Sequence, residues 1–275
     1  MHLRQLSSLL LIALLSVDVV GLRAQLAPRR ITPETNHLGT GIVELLAGAN
    51  GDSSIQFIEL EAPCGEDKWG PENSGGASNA MLVFFDAQGN ETYRYKFPNN
   101  PICGDHALAA TQGFANLAGA PTPDFIIPAV ISPVSGKVCF MGNSESLTFF
   151  GRNFCVSYGN FTGNTDTNSA DGLPSTPAGP PAPQLPITGT TSLTFTGSAE
   201  TNASFSLGTA TPENHSGVPF TMPTATQAVI GGNLFNKETF GGNGRTCASC
   251  HVSTLNLGLT PANIQSRFAT LSTSG

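Results

Sequence analysis

Charged residues are scarce in this sequence. Asp, Glu, Lys and Arg make up 11% of the 275 residues, whereas an average soluble protein holds about 25%. The 12 Lys and Arg are outnumbered by 19 Asp and Glu, which gives a net charge of -7. Proteins that bind phosphate backbones need the opposite balance, so nucleic acid is excluded as a main partner.

Long hydrophobic runs are missing after the N-terminus. The one candidate, residues 6–20, follows Arg4, is interrupted by Asp18 and is shorter than the roughly 20 residues that a membrane span needs. With the small residue Ala24 at a suitable cleavage point, this layout is typical of a secretory signal peptide over residues 1–24; an uncleaved anchor is the alternative. We therefore expect a chain exported to the bacterial periplasm or the extracellular space, with no membrane span after cleavage.

The sequence also lacks the common catalytic motifs. It contains no Gly-Xaa-Ser-Xaa-Gly elbow, no phosphate loop and no dinucleotide fingerprint. Glu59 and Glu61 alternate with apolar residues, which indicates a solvated strand face rather than an acid–base pair. Asp166 and Asp171 match no known calcium-binding loop. No catalytic residue is predicted.

Turn-forming residues are abundant. The 31 glycines and 20 prolines separate short apolar runs of the kind that form strands. Residues 81–85 and 92–97 flank a turn in which Gly89 can adopt a positive φ, so they predict a β-hairpin. Further strand-like runs lie at residues 41–46, 54–61, 124–129, 137–141, 146–158, 192–196 and 203–207. Short strands at such intervals predict an all-β sandwich or barrel.

Other stretches of this half have different roles. Residues 107–117 form the one helix-like stretch here, and residues 162–186, rich in Asn, Thr, Gly and Pro, are predicted to be a long surface loop or linker. Trp69, Met81 and Met141 are expected to pack in the core.

The β half resembles a known family. Gly41-Ile-Val-Glu-Leu-Leu46, Phe57-Ile-Glu-Leu60 and the ending Thr211-Pro-Glu-Asn214 are similar to the lamin-tail-type domain, an immunoglobulin-like sandwich. The resemblance implies a binding or display domain over residues 38–217, without catalytic residues.

Four cysteines lie in this half: Cys64, Cys103, Cys139 and Cys155. In an exported protein an even number of cysteines predicts disulfides. Three pairings are possible, and free buried thiols are the alternative. We favour Cys64–Cys103 and Cys139–Cys155, because the latter two lie on what are predicted to be neighbouring strands.

The C-terminal part carries the pattern with a specific chemistry. Cys247-Ala-Ser-Cys250-His251 is the pentapeptide of covalent c-type haem attachment. Two thiols three positions apart lie on one side of a helical turn and can form thioethers to the two haem vinyl groups. The next residue, His251, is then predicted to be the proximal iron ligand. A redox cysteine pair or half a zinc site are the alternatives.

The residues before the motif extend this interpretation. Residues 218–227 are predicted to be a linker, residues 228–235 a helix, and residues 241–246 a tight turn into the cysteine pair. Residues 232–251, with the form Thr-Phe-Gly-Gly-Asn-Gly-Arg-Thr-Cys-x-x-Cys-His, resemble bacterial cytochrome c domains. Relatives of that form include mono-haem electron carriers and di-haem cytochrome c peroxidases. The resemblance implies a cytochrome c domain over residues 228–275.

A complete cytochrome domain would extend further. After His251 we expect one more helix over residues 260–271, and we expect the sequence to be the N-terminal part of a longer cytochrome. The candidates for a sixth iron ligand within it are Met222, His215 and His106, each expected to be an ordinary loop or surface residue instead.

Together these patterns predict an all-β immunoglobulin-like sandwich followed by a short, incomplete cytochrome c segment. The expected function is one-electron transfer by an exported cytochrome with covalent haem c, whose partner is a redox protein or a small electron donor. A di-haem peroxidase-like enzyme and a non-redox extracellular scaffold or adhesion protein are the alternatives. The peroxidase would need a second Cys-x-x-Cys-His motif, and the sequence holds one.

Overall fold

The structure of the protein is a computed structural model. The residues that it describes all belong to one compact unit, Ile31–Gly275. They are residues 40–61, 69, 80–99, 102, 104–142, 153–169, 179–197, 199–240, 244–251, 258 and 260–272. The predicted signal peptide and the predicted Cys64–Cys103 disulfide lie outside these residues.

The described residues are mostly β-sheet. A six-stranded sheet has the order β10-β9-β1-β2-β5-β6 and a four-stranded sheet the order β4-β3-β7-β8. Neighbouring strands are antiparallel except for the parallel pair β5–β6. The strands are β1 (Gly41–Leu46), β2 (Phe57–Glu61), β3 (Met81–Phe85), β4 (Glu91–Lys96), β5 (His106–Ala110), β6 (Phe125–Ile126), β7 (Gly136–Met141), β8 (Asn153–Tyr158), β9 (Thr191–Phe195) and β10 (Phe205–Thr209).

The two sheets share one hydrophobic core. Ile58 and Leu60 of the six-stranded sheet pack in the same cluster as Phe84 and Phe140 of the four-stranded sheet. Trp69 is 1% exposed, and its ring lies 4.6–5.8 Å from those of Phe97, Phe125 and Phe140. The predicted mostly-β architecture and the packing role of Trp69 are confirmed.

Both outer sheet faces are covered in part. On the six-stranded sheet Phe57 and Leu108 pack with Phe114 and Met222, which come from outside the sheet. On the four-stranded sheet Cys139 and Cys155, opposite each other on β7 and β8, form a disulfide. The predicted Cys139–Cys155 pairing is therefore present, and Met81 and Met141 pack beside it, partly buried.

The hairpin of β3 and β4 has the predicted form. The two strands pair antiparallel, and Gly89 in the turn has a φ of 86°. Asp86 accepts hydrogen bonds from the amides of Gln88 and Asn90 at 2.9 Å, which closes the turn.

Two predicted elements differ from the structure. The helix expected over residues 107–117 begins as strand β5 and becomes helix α1 only at Gln112–Ala115, where Thr111 is the N-cap. Sheet pairing with β2 overrides the helical propensity of this alanine-rich segment. The strand expected over residues 124–129 is limited to the two residues of β6.

The C-terminal part is helical where its residues are described. Helix α2 covers Gln227–Asn236, a single 3-10 turn covers Cys247–Ser249, and helix α3 covers Pro261–Ser272. Among the described residues, no helix is long and apolar enough to cross a bilayer.

Candidate functional site

The cysteine pair lies on one short helical turn. The amide of Cys250 donates to the carbonyl of Cys247 at 3.1 Å, and the amide of His251 donates to the same carbonyl at 2.9 Å. Residues three apart in a 3-10 turn lie one above the other. Cys247 and Cys250 therefore emerge on one side, and the imidazole of His251 follows directly.

Side-chain hydrogen bonds hold the start of this turn. The amide of Thr246 donates to the hydroxyl of Ser249 at 2.8 Å, and the amide of Ser249 donates to the carbonyl of Thr246 at 3.0 Å. The first of these bonds satisfies a backbone amide that a helix terminus otherwise leaves to water. Ser249, one of the two residues between the cysteines, thus helps to form the turn.

The donor set fits covalent haem attachment. Cys247 and Cys250 are free, exposed thiols, and His251 is exposed as well. Thioether formation needs two accessible thiols on one face, and iron ligation needs an imidazole next to them. The residues present would supply all three groups.

Helix α2 provides an aromatic neighbour for the imidazole. The helix begins after the N-cap Thr226, and near its end the ring of Phe235 lies 6.1 Å from that of His251, inclined by 53°. Val229 on this helix is 52% exposed and Phe240 after it is 65% exposed. Apolar side chains are thus open to solvent on this segment.

The three candidates for a sixth ligand are engaged elsewhere. Met222 is 3% exposed and packs with Phe57 and Phe114 on the six-stranded sheet. His215 pairs with Asp124. His106 Nδ1 lies 2.8 Å from Glu59 Oε1. These residues have structural roles, and the expectation of ordinary surface histidines misses the contacts of His215 and His106 with buried carboxylates.

The carboxylates around these histidines are a feature that the sequence did not indicate. Glu59 is 2% exposed, so the prediction that Glu59 lies on a solvated strand face is wrong. The segment after β10 covers that face: Glu44 accepts the amide of Thr211 at 3.0 Å and Glu59 that of Glu213 at 3.2 Å. Asp124 in turn accepts the amide of His215 at 3.2 Å.

Residues 211–215 thus cover three carboxylates. The amides that bond to them belong to every second residue, 211, 213 and 215, because alternate residues of an extended segment face the same side. A strand that alternates Glu with Ile or Leu indicates a solvated face only when no other segment covers that face. Here Glu213, 154 residues after Glu59, belongs to the covering segment.

Burial and charge act on His106 in opposite directions. Burial disfavours its protonation, but the adjacent Glu59 carboxylate, with Glu213 and Glu61 nearby, outweighs that effect and raises the pKa of His106. His106 Nδ1 lies outside good hydrogen-bond geometry toward Glu59, and the two groups form an ion pair when His106 is protonated.

No group of three or more His, Cys, Asp or Glu side chains is placed to hold a metal ion in the part of the chain that the structure describes. Asp166 accepts the amide of Asn168 at 2.8 Å, and Asp171 lies outside the described residues.

Comparisons with known proteins give no family. No family model, no curated protein and no solved structure matches the chain. The resemblances to lamin-tail-type and cytochrome c domains therefore stay predictions.

Proposed function

We propose that the chain is an exported c-type cytochrome in which a β-sandwich binding or display domain is fused to a haem-bearing segment. The observation that carries the proposal is the turn at Cys247, with two free thiols on one face and the imidazole of His251 next to them. A haem bound there would supply one-electron transfer by its iron.

The residues of the chain have distinct roles in this proposal. Cys247 and Cys250 would tether the porphyrin, and His251 would ligate the iron. Ser249 and Thr246 shape the turn before attachment, and Phe235 packs beside the imidazole. The electron partner is a redox protein or a small donor.

Export agrees with the cysteine chemistry of the sandwich. The Cys139–Cys155 disulfide is typical of an oxidising compartment, and maturation of c-type cytochromes also takes place outside the cytoplasm. Together with the signal-like residues 1–24, the disulfide supports a periplasmic or extracellular location.

The proposal divides the chain into three parts after the signal peptide. The two facing sheets support a lamin-tail-type, immunoglobulin-like domain over residues 38–217. Residues 218–227 would be a linker, and residues 228–275 would be cytochrome c sequence.

Intact-mass measurement tests the proposal. The full chain is expressed in a bacterium that carries the c-type maturation machinery, and the exported product is analysed. We expect cleavage after Ala24 and the added mass of one covalently bound haem, with the reduced α-band of a c-type cytochrome.

Variants separate attachment from other effects. Cys247→Ala combined with Cys250→Ala is expected to abolish the added mass, whereas either single variant keeps one thioether. Ser206→Ala, an exposed control on β10, leaves haem content unchanged. An exported wild-type chain that folds but carries no haem would contradict the proposal and favour a scaffold; rapid peroxide turnover would favour the peroxidase.

A further inference from the structure

The loop between β1 and β2 contains a tight turn that also contacts residues 223–237, far away in the sequence. In residues 49–52 the amide of Asp52 donates to the carbonyl of Ala49 at 2.8 Å. Its central residues Asn50 and Gly51 have φ values of 52° and 76°, a left-handed conformation that Asn and Gly tolerate best.

Asn50 fixes the segment that leads into α2. Its side-chain amide donates to the carbonyl of Pro223 at 3.0 Å. The side-chain oxygen accepts the amide of Ala225, also at 3.0 Å. Asn50 is 7% exposed, so both bonds are largely shielded from water. The chain is thus held at residues 223–225, just before the N-cap of the helix.

Helix α2 itself lies against the same turn. Asn233 donates from its side chain to the carbonyl of Asn50 at 3.0 Å, and Lys237 pairs with Asp52. At Gly51 an added Cβ would lie 2.7 Å from the carbonyl of Ile230. Since residues 230, 233 and 237 are three and four positions apart, they form one face of the helix.

The opposite side of α2 carries the aromatic contact to the haem motif. At 100° per residue, Phe235 lies about 140° around the helix from Ile230, and its ring is the one beside His251. A single helix of ten residues therefore stands between the turn at residues 49–52 and the imidazole.

We propose that the turn of residues 49–52 is a positioning element for His251, acting through α2 and Phe235. Asn50, Gly51 and Asp52 fix the helix from one side, and Phe235 transmits that position to the imidazole on the other. The consequence for a bound iron rests on the proposed function; the effect on His251 in the haem-free chain does not.

This geometry couples the sandwich to the cysteine turn. A ring packed against one side of the imidazole restricts the rotamers that His251 can adopt. The orientation of the His251 imidazole would then be determined by a loop about 200 residues earlier in the sequence.

The experiment uses the full chain after signal cleavage, in haem-free and haem-loaded forms. Asn50→Gly keeps the left-handed backbone but removes the side chain that holds residues 223–225. Amide hydrogen exchange over α2 is expected to become about tenfold faster, and the ring-proton NMR shift of His251 is expected to move toward its value in an unstructured peptide.

Two further variants test the contact between the turn and α2 separately from the contact between Phe235 and His251. Asn233→Ala with Lys237→Met releases the helix face and is expected to repeat both effects. Phe235→Leu is expected to move the His251 ring-proton shift while exchange over α2 stays as in the wild type. Asn160→Gly and Lys96→Met, at exposed positions, are matched controls and change neither readout.

The outcomes distinguish this inference from the proposed function. Unchanged α2 exchange and an unchanged His251 signal in Asn50→Gly would overturn the positioning role, even in a chain that carries haem. If instead the wild type carries no haem but Asn50→Gly has both effects, the positioning role stands and the cytochrome proposal fails. In the loaded protein, the Soret circular dichroism band is expected to change in Asn50→Gly and not in Asn160→Gly.

Discussion

His106 shows how one side chain in this sandwich depends on the charges packed around it. It stands on β5 opposite Glu61, the last residue of β2, with Glu59 Oε1 at 2.8 Å and Glu213 Oε2 at 4.0 Å. Its side chain is 18% exposed, so solvent screens these charges only in part. These carboxylates make protonation of His106 more favourable in the folded state than in the unfolded chain.

This gives a pH-dependent contribution to stability. The pKa of His106 is raised in the folded protein, so the folded state binds the proton more tightly than the unfolded chain. The stabilisation is complete below the unfolded pKa of about 6.5 and is lost as the pH rises through the folded pKa. We expect His106→Gln to lower the free energy of unfolding by about 1.5 kcal/mol at pH 5.5 and by less at pH 9.

Urea unfolding at the two pH values measures the difference. Glu59→Gln, which removes the nearest carboxylate, is expected to abolish most of the pH dependence of the His106→Gln effect. The same loss of stability at pH 5.5 and pH 9 would show that the charge of His106 does not matter.

Strand β7 and the loop that follows β8 are joined by a buried lysine. Lys137 is 1% exposed, and its ammonium donates to the carbonyls of Asn164 at 2.7 Å, Asp166 at 3.0 Å and Ser169 at 2.7 Å. It also lies over the ring of Phe85, 5.9 Å from the centroid. The predicted surface loop of residues 162–186 is therefore tied down at residues 164–169.

Removal of this charge should be costly because three carbonyls would lose a donor. Lys137→Met is expected to lower the free energy of unfolding by about 3 kcal/mol, since each buried group left without a partner costs about 1–3 kcal/mol. Lys96→Met on the exposed strand β4 is the control and should change stability by less than about 0.5 kcal/mol. Equal urea midpoints for the two variants would contradict the bridging role.

The whole sandwich gains stability from the Cys139–Cys155 disulfide. The two residues are 16 positions apart, and the bond joins neighbouring strands of the four-stranded sheet. In the chain-entropy description, closing a loop of this length lowers the conformational entropy of the unfolded chain and so raises its free energy by about 3 kcal/mol.

Substitution of both cysteines tests that contribution. We expect Cys139→Ala with Cys155→Ala to lower the free energy of unfolding by about 3 kcal/mol. In haem-free protein the matched control is Cys247→Ala with Cys250→Ala, which removes two exposed thiols and should leave stability within about 0.5 kcal/mol. A disulfide-free sandwich with wild-type stability would show that the core suffices by itself.

Local patterns were enough for most of the β half. The hairpin at Gly89 and the strands around residues 192–196 and 203–207 depend on alternation and turn chemistry within a few residues, and the structure has them. The favoured pairing of Cys139 with Cys155, which lie 16 positions apart on neighbouring strands, is present as well. The helices predicted over residues 228–235 and 260–271 correspond to helices at Gln227–Asn236 and Pro261–Ser272 in the structure.

Contacts between distant segments decided what the sequence could not show. Glu59 is buried because residues 211–215 cross its sheet face, residues 107–110 are a strand because β2 pairs with them, and Lys137 is buried because the loop at residues 164–169 folds over it. The cysteine–histidine motif was evident from five consecutive residues, since thioether chemistry needs only their spacing. The place of α2 on the turn at residues 49–52 emerged only from the folded chain, because hydrogen bonds and steric fit over that distance leave no periodic signal in the sequence.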